Sequence, residues 1–169
     1  MAAATIEICE QNGASAGTTT HNITHSNMGD TDAANLDPVA YPVTPGNKTY
    51  AKYQRIQVTD IGTSSSIQNL KVWRSSALGG AATHVTNAGM TTDWSALSYV
   101  QPVKVTITNV DNAMPTSVPA TANLGIGGAL AGALTAAGYS DYLVHQIITN
   151  AADAAGSTST MNYQYDEIA

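Results

Sequence analysis

The chain contains no phenylalanine, one cysteine, two tryptophans and three glutamates, and each shortage removes a class of protein. A core without Phe must be built from Val, Ile, Leu, Tyr and Met. Cys9 stands alone, so no intramolecular disulfide can form and the chain is not a disulfide-stapled small domain. It lies in an alternating stretch, where a small buried hydrophobe is the expected role and a nucleophile would need a histidine base that sequence cannot locate. Charged residues make up 11% of the chain, against roughly 25% in an ordinary soluble domain, and the scarcity of Glu, Lys and Arg argues against a helical bundle or coiled coil.

Positive charge is scarce as well. The six cations, Lys48, Lys52, Arg55, Lys71, Arg74 and Lys104, are scattered in a chain of net charge −6. Nucleic-acid binding needs a basic cluster that displaces counterions, so no nucleic-acid partner is expected; the alternative is a patch of Lys52, Arg55, Lys71 and Arg74 assembled by folding. The longest stretch of low polarity, Leu124 to Gly138, is too short and too glycine-rich to span a bilayer, and no membrane partner is expected. The N-terminal residues show neither a basic segment nor a long apolar one, so the expectation is a protein made and folded in a cytoplasm.

What the chain does contain is small. Ala (27), Thr (22), Gly (14) and Ser (13) together supply 76 of the 169 residues. At this length the expectation is a single domain, residues 1–169. Strand patterns recur between polar turns: Thr5 to Glu10 alternates, Thr18 to Thr24 is Thr-rich, and Tyr50 to Thr59 and Ile67 to Arg74 read as two strands of an antiparallel hairpin. A short strand is expected at His84 to Thr86, with Trp94 on a loop. Val103 to Thr108 alternates cleanly, and Asp141 to Thr149 and Ser159 to Asp166 read as two closing strands. An Ala/Gly helix over Ala129 to Ala137 would place Leu130 and Leu134 on one face, although Gly132 weakens it by about 1 kcal/mol. Between Ser26 and Asn47 runs an extended loop or arm carrying Pro38, Pro42 and Pro45, which exclude a helix. The expected fold is all-β: an antiparallel sandwich or jelly-roll-like barrel of seven or eight strands, with at most one short helix.

No catalytic motif survives inspection. His21 and His25 have the spacing of a helical zinc pair, but on a strand they lie about 13 Å apart and cannot share an ion. Asp30, Asp32, Asn35 and Asp37 superficially suggest a calcium loop, yet Asn35 and Tyr41 occupy the places of the required Gly and Glu, leaving turn-forming roles or a looser ion site. Gly125, Gly127, Gly128 and Gly132 match neither a P-loop nor a dinucleotide fingerprint, so tight backbone packing explains them better. Paired carboxylates would have to come from Glu7, Glu10, Asp166 and Glu167, which meet only if the first and last strands are neighbours. No catalytic, cofactor-binding or metal-ligating set is therefore assigned, and an enzyme is not expected. The candidate interface residues are Pro38, Tyr41 and Pro42 on the arm, with Tyr139, Tyr142, Tyr163 and Tyr165 near the C-terminus, where a ring and a polar tip suit either a core or an interface; a sugar-stacking platform is the alternative.

Three stretches carry a resemblance: Ala4 to Gly13 (ATIEICEQNG), Ile67 to Trp73 (IQNLKVW), and Tyr139 to Ile147 (YSDYLVHQI) with the ending Asn162 to Glu167 (NYQYDE). Together they resemble small virion structural proteins of tailed bacteriophages, of the kind that decorate a capsid or line a head or tail surface. The resemblance implies a β-sandwich, a homo-oligomer (trimer or dimer), contact with the major capsid protein or another virion protein, and a place in the virion after assembly in the host cytoplasm. It brings no enzymatic residues. A capsid-decoration protein is the leading expectation; a carbohydrate- or host-binding module of a fibre or spike, or another tail, neck or filament subunit, is the alternative.

Overall fold

The computed structural model describes residues 2–14, 16–90, 98–105, 110–154 and 156–169. It is all-β, with ten strands and no helix among the described residues: β1 (Thr5–Asn12), β2 (Thr18–Thr20), β3 (Lys52–Asp60), β4 (Ser66–Arg74), β5 (Thr83–Thr86), β6 (Asn112–Ala113), β7 (Ala133–Leu134), β8 (Gly138–Tyr139), β9 (Leu143–Ile148) and β10 (Met161–Ile168). All pairings are antiparallel. A larger sheet runs β2-β1-β3-β9-β5-β6, with β8 also on β3; a smaller one runs β10-β4-β7. The sandwich-like architecture expected from the composition is the one found.

Three expectations about how the elements connect are corrected. First, β3 and β4 are not a hairpin. They lie in different sheets, β3 between β1 and β8/β9, β4 between β10 and β7, so the turn at residues 61–65 crosses from one layer to the other. The reason lies in burial: Ile56 and Val58 on β3 and Ile67, Leu70 and Val72 on β4 are each at most 1% exposed, and facing one another across two layers buries both sets. The closing strands β9 and β10 likewise belong to different sheets. Second, residues 129–137 form turns and the short β7 rather than a helix. Gly127 and Gly128, at φ +63° and +85°, make a two-residue turn that pairs Ile126 with Ala129, and Gly132 packs where a Cβ would lie 2.2 Å from the Ile126 carbonyl oxygen. Third, the Thr-rich strand stops at Thr20, and residues 103–105 are not strand; residues 106–108 of that expected strand, and Trp94, lie outside the described residues.

The core is a single cluster between the sheets. Ile6 and Ile8 of β1 join it, as do Leu124, Leu143 and Tyr163. On β4 the alternation breaks between Ile67 and Leu70, both buried although three apart. A bulge explains it: Asn69 adopts φ +54°, and two β4 residues oppose Tyr165 alone on β10. Two buried asparagines replace missing strand neighbours. Asn123 accepts from Val72 N (2.8 Å) and donates to Val72 O (2.8 Å), and Asn87 accepts from Val144 N (2.7 Å) and donates to Tyr142 O (3.0 Å). Each side chain satisfies both polar groups of a strand edge that would otherwise be buried unpaired.

Candidate functional site

The residues on β3 and its neighbours divide between two faces, and both faces carry polar chemistry. On the inner face, Glu10, Lys52 and Gln54 point between the sheets, each at most 2% exposed. Lys52 Nζ donates to Glu10 Oε1 (2.6 Å) and to the Ala33 carbonyl (2.5 Å), while Gln54 Nε2 donates to Glu10 Oε2 (2.7 Å) and Ser26 Oγ (2.8 Å). These donors fix the orientation of the Gln54 amide, so Gln54 Oε1 is an acceptor. It receives the Tyr163 hydroxyl (2.8 Å) and His145 Nε2–H (3.1 Å).

The tautomers follow. With its proton on Nε2, His145 presents the Nδ1 lone pair to His84 Nε2 at 2.8 Å, so His84 donates from Nε2 and its own Nδ1 is a bare acceptor. That atom is buried and has no hydrogen-bond partner among the described residues. Burial, then the Arg74 guanidinium, lowers the His84 pKa to about 3, and burial followed by the His84 and Lys52 charges holds His145 well below its usual value. Both rings are therefore neutral at neutral pH, each carrying a single N–H, on Nε2. The pair works as hydrogen-bonding structure, and both residues line a cleft of about 320 Å³. Pro38 and Pro42 of the arm, Arg74 and Asp153 line the same cleft.

The outer face of the larger sheet holds an aromatic group. Arg55 lies over the rings of Tyr139 (4.0 Å) and Tyr142 (4.4 Å), and Tyr53 meets Tyr99 and Tyr142 edge-on at 5.3 and 5.7 Å. Beside it, four donor atoms from three strands' worth of sequence converge. His21 Nδ1 is 2.8 Å from both Glu7 Oε1 and Gln57 Oε1, and Cys9 Sγ is 3.0 Å from Gln57 Oε1, 3.4 Å from Glu7 Oε1 and 3.5 Å from His21 Nδ1. Cys9 therefore does have a histidine beside it, which no spacing in the sequence revealed. It is nonetheless no activated nucleophile: burial, and then the Glu7 carboxylate, push its thiol up to about 11.

The arm, residues 26–47, is fixed at its base and open at its tip. Leu36 is buried; Asn27 Nδ2 donates to the Leu36 carbonyl, Asp30 N to the Tyr41 carbonyl, and Tyr41 N to the Asp37 carbonyl. Asp32 accepts from Asn12 Nδ2 (2.8 Å) and Gly13 N (2.7 Å), and Asp30 pairs with Lys104, so both carboxylates of the oxygen-rich loop tie the arm in place. At the tip, Val39 is 86% exposed and Tyr41 49%.

The seven expected interface residues thus separate. Pro38, Tyr41 and Pro42 are exposed together on the arm. Tyr139 is 36% exposed but stacked on Arg55, Tyr142 is core at 5%, and Tyr163 and Tyr165 pack against the core from β10. No shared tyrosine surface results. Nor do the four acidic residues meet: Glu10 is buried with Lys52, Glu7 faces His21, Asp166 accepts from Asn69, and Glu167 accepts from Ala4 N and Ser64. The basic patch does not form either, because Lys52 is internal and Arg55 lies between two tyrosine rings. Finally, the amides of the Gly-rich turn hold the protein's own Asp141, whose carboxylate accepts from Gly128 N at 2.9 Å. No family model, curated protein or solved structure matches this chain.

Proposed function

We propose that this chain is a structural protein of a tailed-bacteriophage virion, a decoration protein of the outer capsid surface that bridges subunits of the major capsid protein. The observation that carries the reading is the arm: an apolar tip, Val39 and Tyr41, exposed on a loop whose base is tied by buried and hydrogen-bonded contacts. A loop ordered in advance loses little conformational entropy on contact, and a projecting aromatic is the kind of anchor that seats in a partner's pocket. The chain carries few long charged side chains, 11% charged residues in all, so little ordering or desolvation opposes docking. The net charge of −6 suits the outside of a shell rather than the side facing packaged DNA. Self-association as a dimer or trimer belongs to the same proposal.

Mass spectrometry of purified virions, followed by co-sedimentation of the full chain with capsids lacking it, tests the proposal. Salt-resistant, saturable association with capsids is expected, since the contact is apolar. A chain absent from virions and monomeric at all concentrations would overturn it. The cleft beside His84, at about 320 Å³, is of a size that holds small ligands and favours a carbohydrate- or host-binding module as the second reading. Glycan-array binding by a chain that ignores capsids would establish that reading instead.

A further inference from the structure

We propose that Cys9, His21, Glu7 and Gln57 form a binding site for one zinc ion on the outer face of the larger sheet. The β1–β3 register puts Glu7 opposite Gln57 and Cys9 opposite Arg55, so Glu7, Cys9 and Gln57 share a face; β2 then carries the chain to His21 beside them. Thiolate, imidazole and carboxylate are the ligand types zinc accepts, and the Gln57 amide oxygen offers a fourth, harder donor.

The spans bear on the fit. With Zn–S near ~2.3 Å and Zn–N and Zn–O near ~2.0–2.2 Å, tetrahedral ligands lie roughly 3.3–3.6 Å apart. The Cys9–His21 and Cys9–Glu7 separations, 3.5 and 3.4 Å, already match. The His21 contacts to Glu7 and Gln57, both 2.8 Å, and the Cys9–Gln57 contact of 3.0 Å are hydrogen-bond lengths and must open by about half an ångström on that scale, the last by movement of the Gln57 amide. His21 is free to open its own two contacts, its side chain being 52% exposed just beyond the end of β2, while Cys9 stays 1% exposed.

Asn22 holds φ +48°, and at this turn Ile23 N bonds to the Ile8 carbonyl, which keeps His21 against β1. Zinc entry exchanges one proton, Cys9–SH plus Zn²⁺ giving Cys9–S–Zn⁺ plus H⁺. The ion would join β1, β3 and the exit of β2, a strand of only three residues at the sheet edge.

The test uses the full chain, reduced with a phosphine, and Zn²⁺ or Co²⁺ alone. Calorimetry is expected to give one Zn²⁺ per chain, and Co²⁺ a thiolate charge-transfer absorption in the near ultraviolet. Cys9→Ser and His21→Ala should each weaken binding by more than the roughly 10–100-fold that loss of an outer-shell partner costs, whereas His25→Ala should leave it unchanged. Zn²⁺ should raise the melting temperature of the wild type and not of His21→Ala, whose half-exposed side chain can be removed without unfolding. No binding by the reduced wild type, or binding that survives both substitutions, would overturn the proposal and leave a hydrogen-bonded cluster at this position.

Discussion

Lys52 Nζ lies 2.6 Å from Glu10 Oε1 with neither side chain reaching solvent, a salt bridge set between two sheets of a protein that has few charges to spend. The pair is further hydrogen-bonded, Glu10 accepting from Gln54 and Asn12 and Lys52 donating to the Ala33 carbonyl. Removing one partner leaves the other charge uncompensated, so Glu10→Gln or Lys52→Met alone should cost about 3–5 kcal/mol. The double substitution Glu10→Gln/Lys52→Met should cost clearly less than the two singles added, because no stranded charge remains. Urea unfolding of the four proteins measures this, and singles costing under about 1 kcal/mol would contradict a buried pair.

The histidine pair makes stability depend on pH. His84 binds its proton near pH 3 when folded and near its ordinary 6.5 when unfolded. Between those values the unfolded chain holds more protons, so unfolding becomes easier as pH falls; the stability is complete above about 6.5 and drains away towards 3. The slope from His84 reaches about 1.4 kcal/mol per pH unit, and His145, lowered in the same direction, steepens it. Carboxylates titrate in part of this window, so the informative quantity is a difference. His84→Gln keeps a donor for His145 Nδ1 and should flatten the stability profile between pH 6 and 4 by about one proton's worth. Equal slopes in the two proteins would show that His84 is not held neutral.

How much of this was readable beforehand depends on the residue. Strand identity was legible wherever apolar and polar residues alternate, as at Ile6 and Ile8 or Leu70 and Val72, because one face of each strand is buried. The pairing was not, since β3 and β4 alternate equally well as a hairpin or as two layers. Alternation also misleads at Lys52 and Gln54: their shared face with Ile56 and Val58 reads correctly, but only the position of Glu10 on β1 explains why polar groups can be buried there. The approach of Cys9 to His21 needs the β1–β2 register and the turn at Asn22, neither of which has a spacing signature. The arm was visible through its three prolines. Its anchoring by Asp32 and Leu36 was not, because single polar contacts leave no periodic trace.

If the arm is the docking element, its tip should matter for association and not for folding. Val39→Asp with Tyr41→Ser replaces two exposed side chains, so the unfolding free energy should stay within about 0.5 kcal/mol of the wild type. Capsid affinity should fall by at least roughly 30-fold, the loss that follows from removing an anchor worth about 2 kcal/mol. Co-sedimentation at several protein concentrations measures it; unchanged binding would move the contact elsewhere on the surface.

The Gly-rich turn separates two reasons for glycine that look alike in sequence. Gly127 sits at φ +63° with nothing within 4 Å of an added Cβ, so its need is conformational alone. Gly127→Asn should be nearly neutral, since Asn tolerates this region, and Gly127→Val should cost about 1–2 kcal/mol or more through backbone strain. Gly132 is different: no left-handed conformation is required there, but a Cβ would lie 2.2 Å from the Ile126 carbonyl oxygen and 2.9 Å from the Ile126 Cβ. Backbone cannot yield as a flexible side chain does, so Gly132→Ala, the smallest possible change, should destabilise more than Gly127→Val. The expected order in thermal melts is wild type close to Gly127→Asn, then Gly127→Val, then Gly132→Ala. Because the same turn supplies the amide that holds Asp141, a collapse of this order would mean that the turn does not close over Ile126 and that Asp141 is held in some other way.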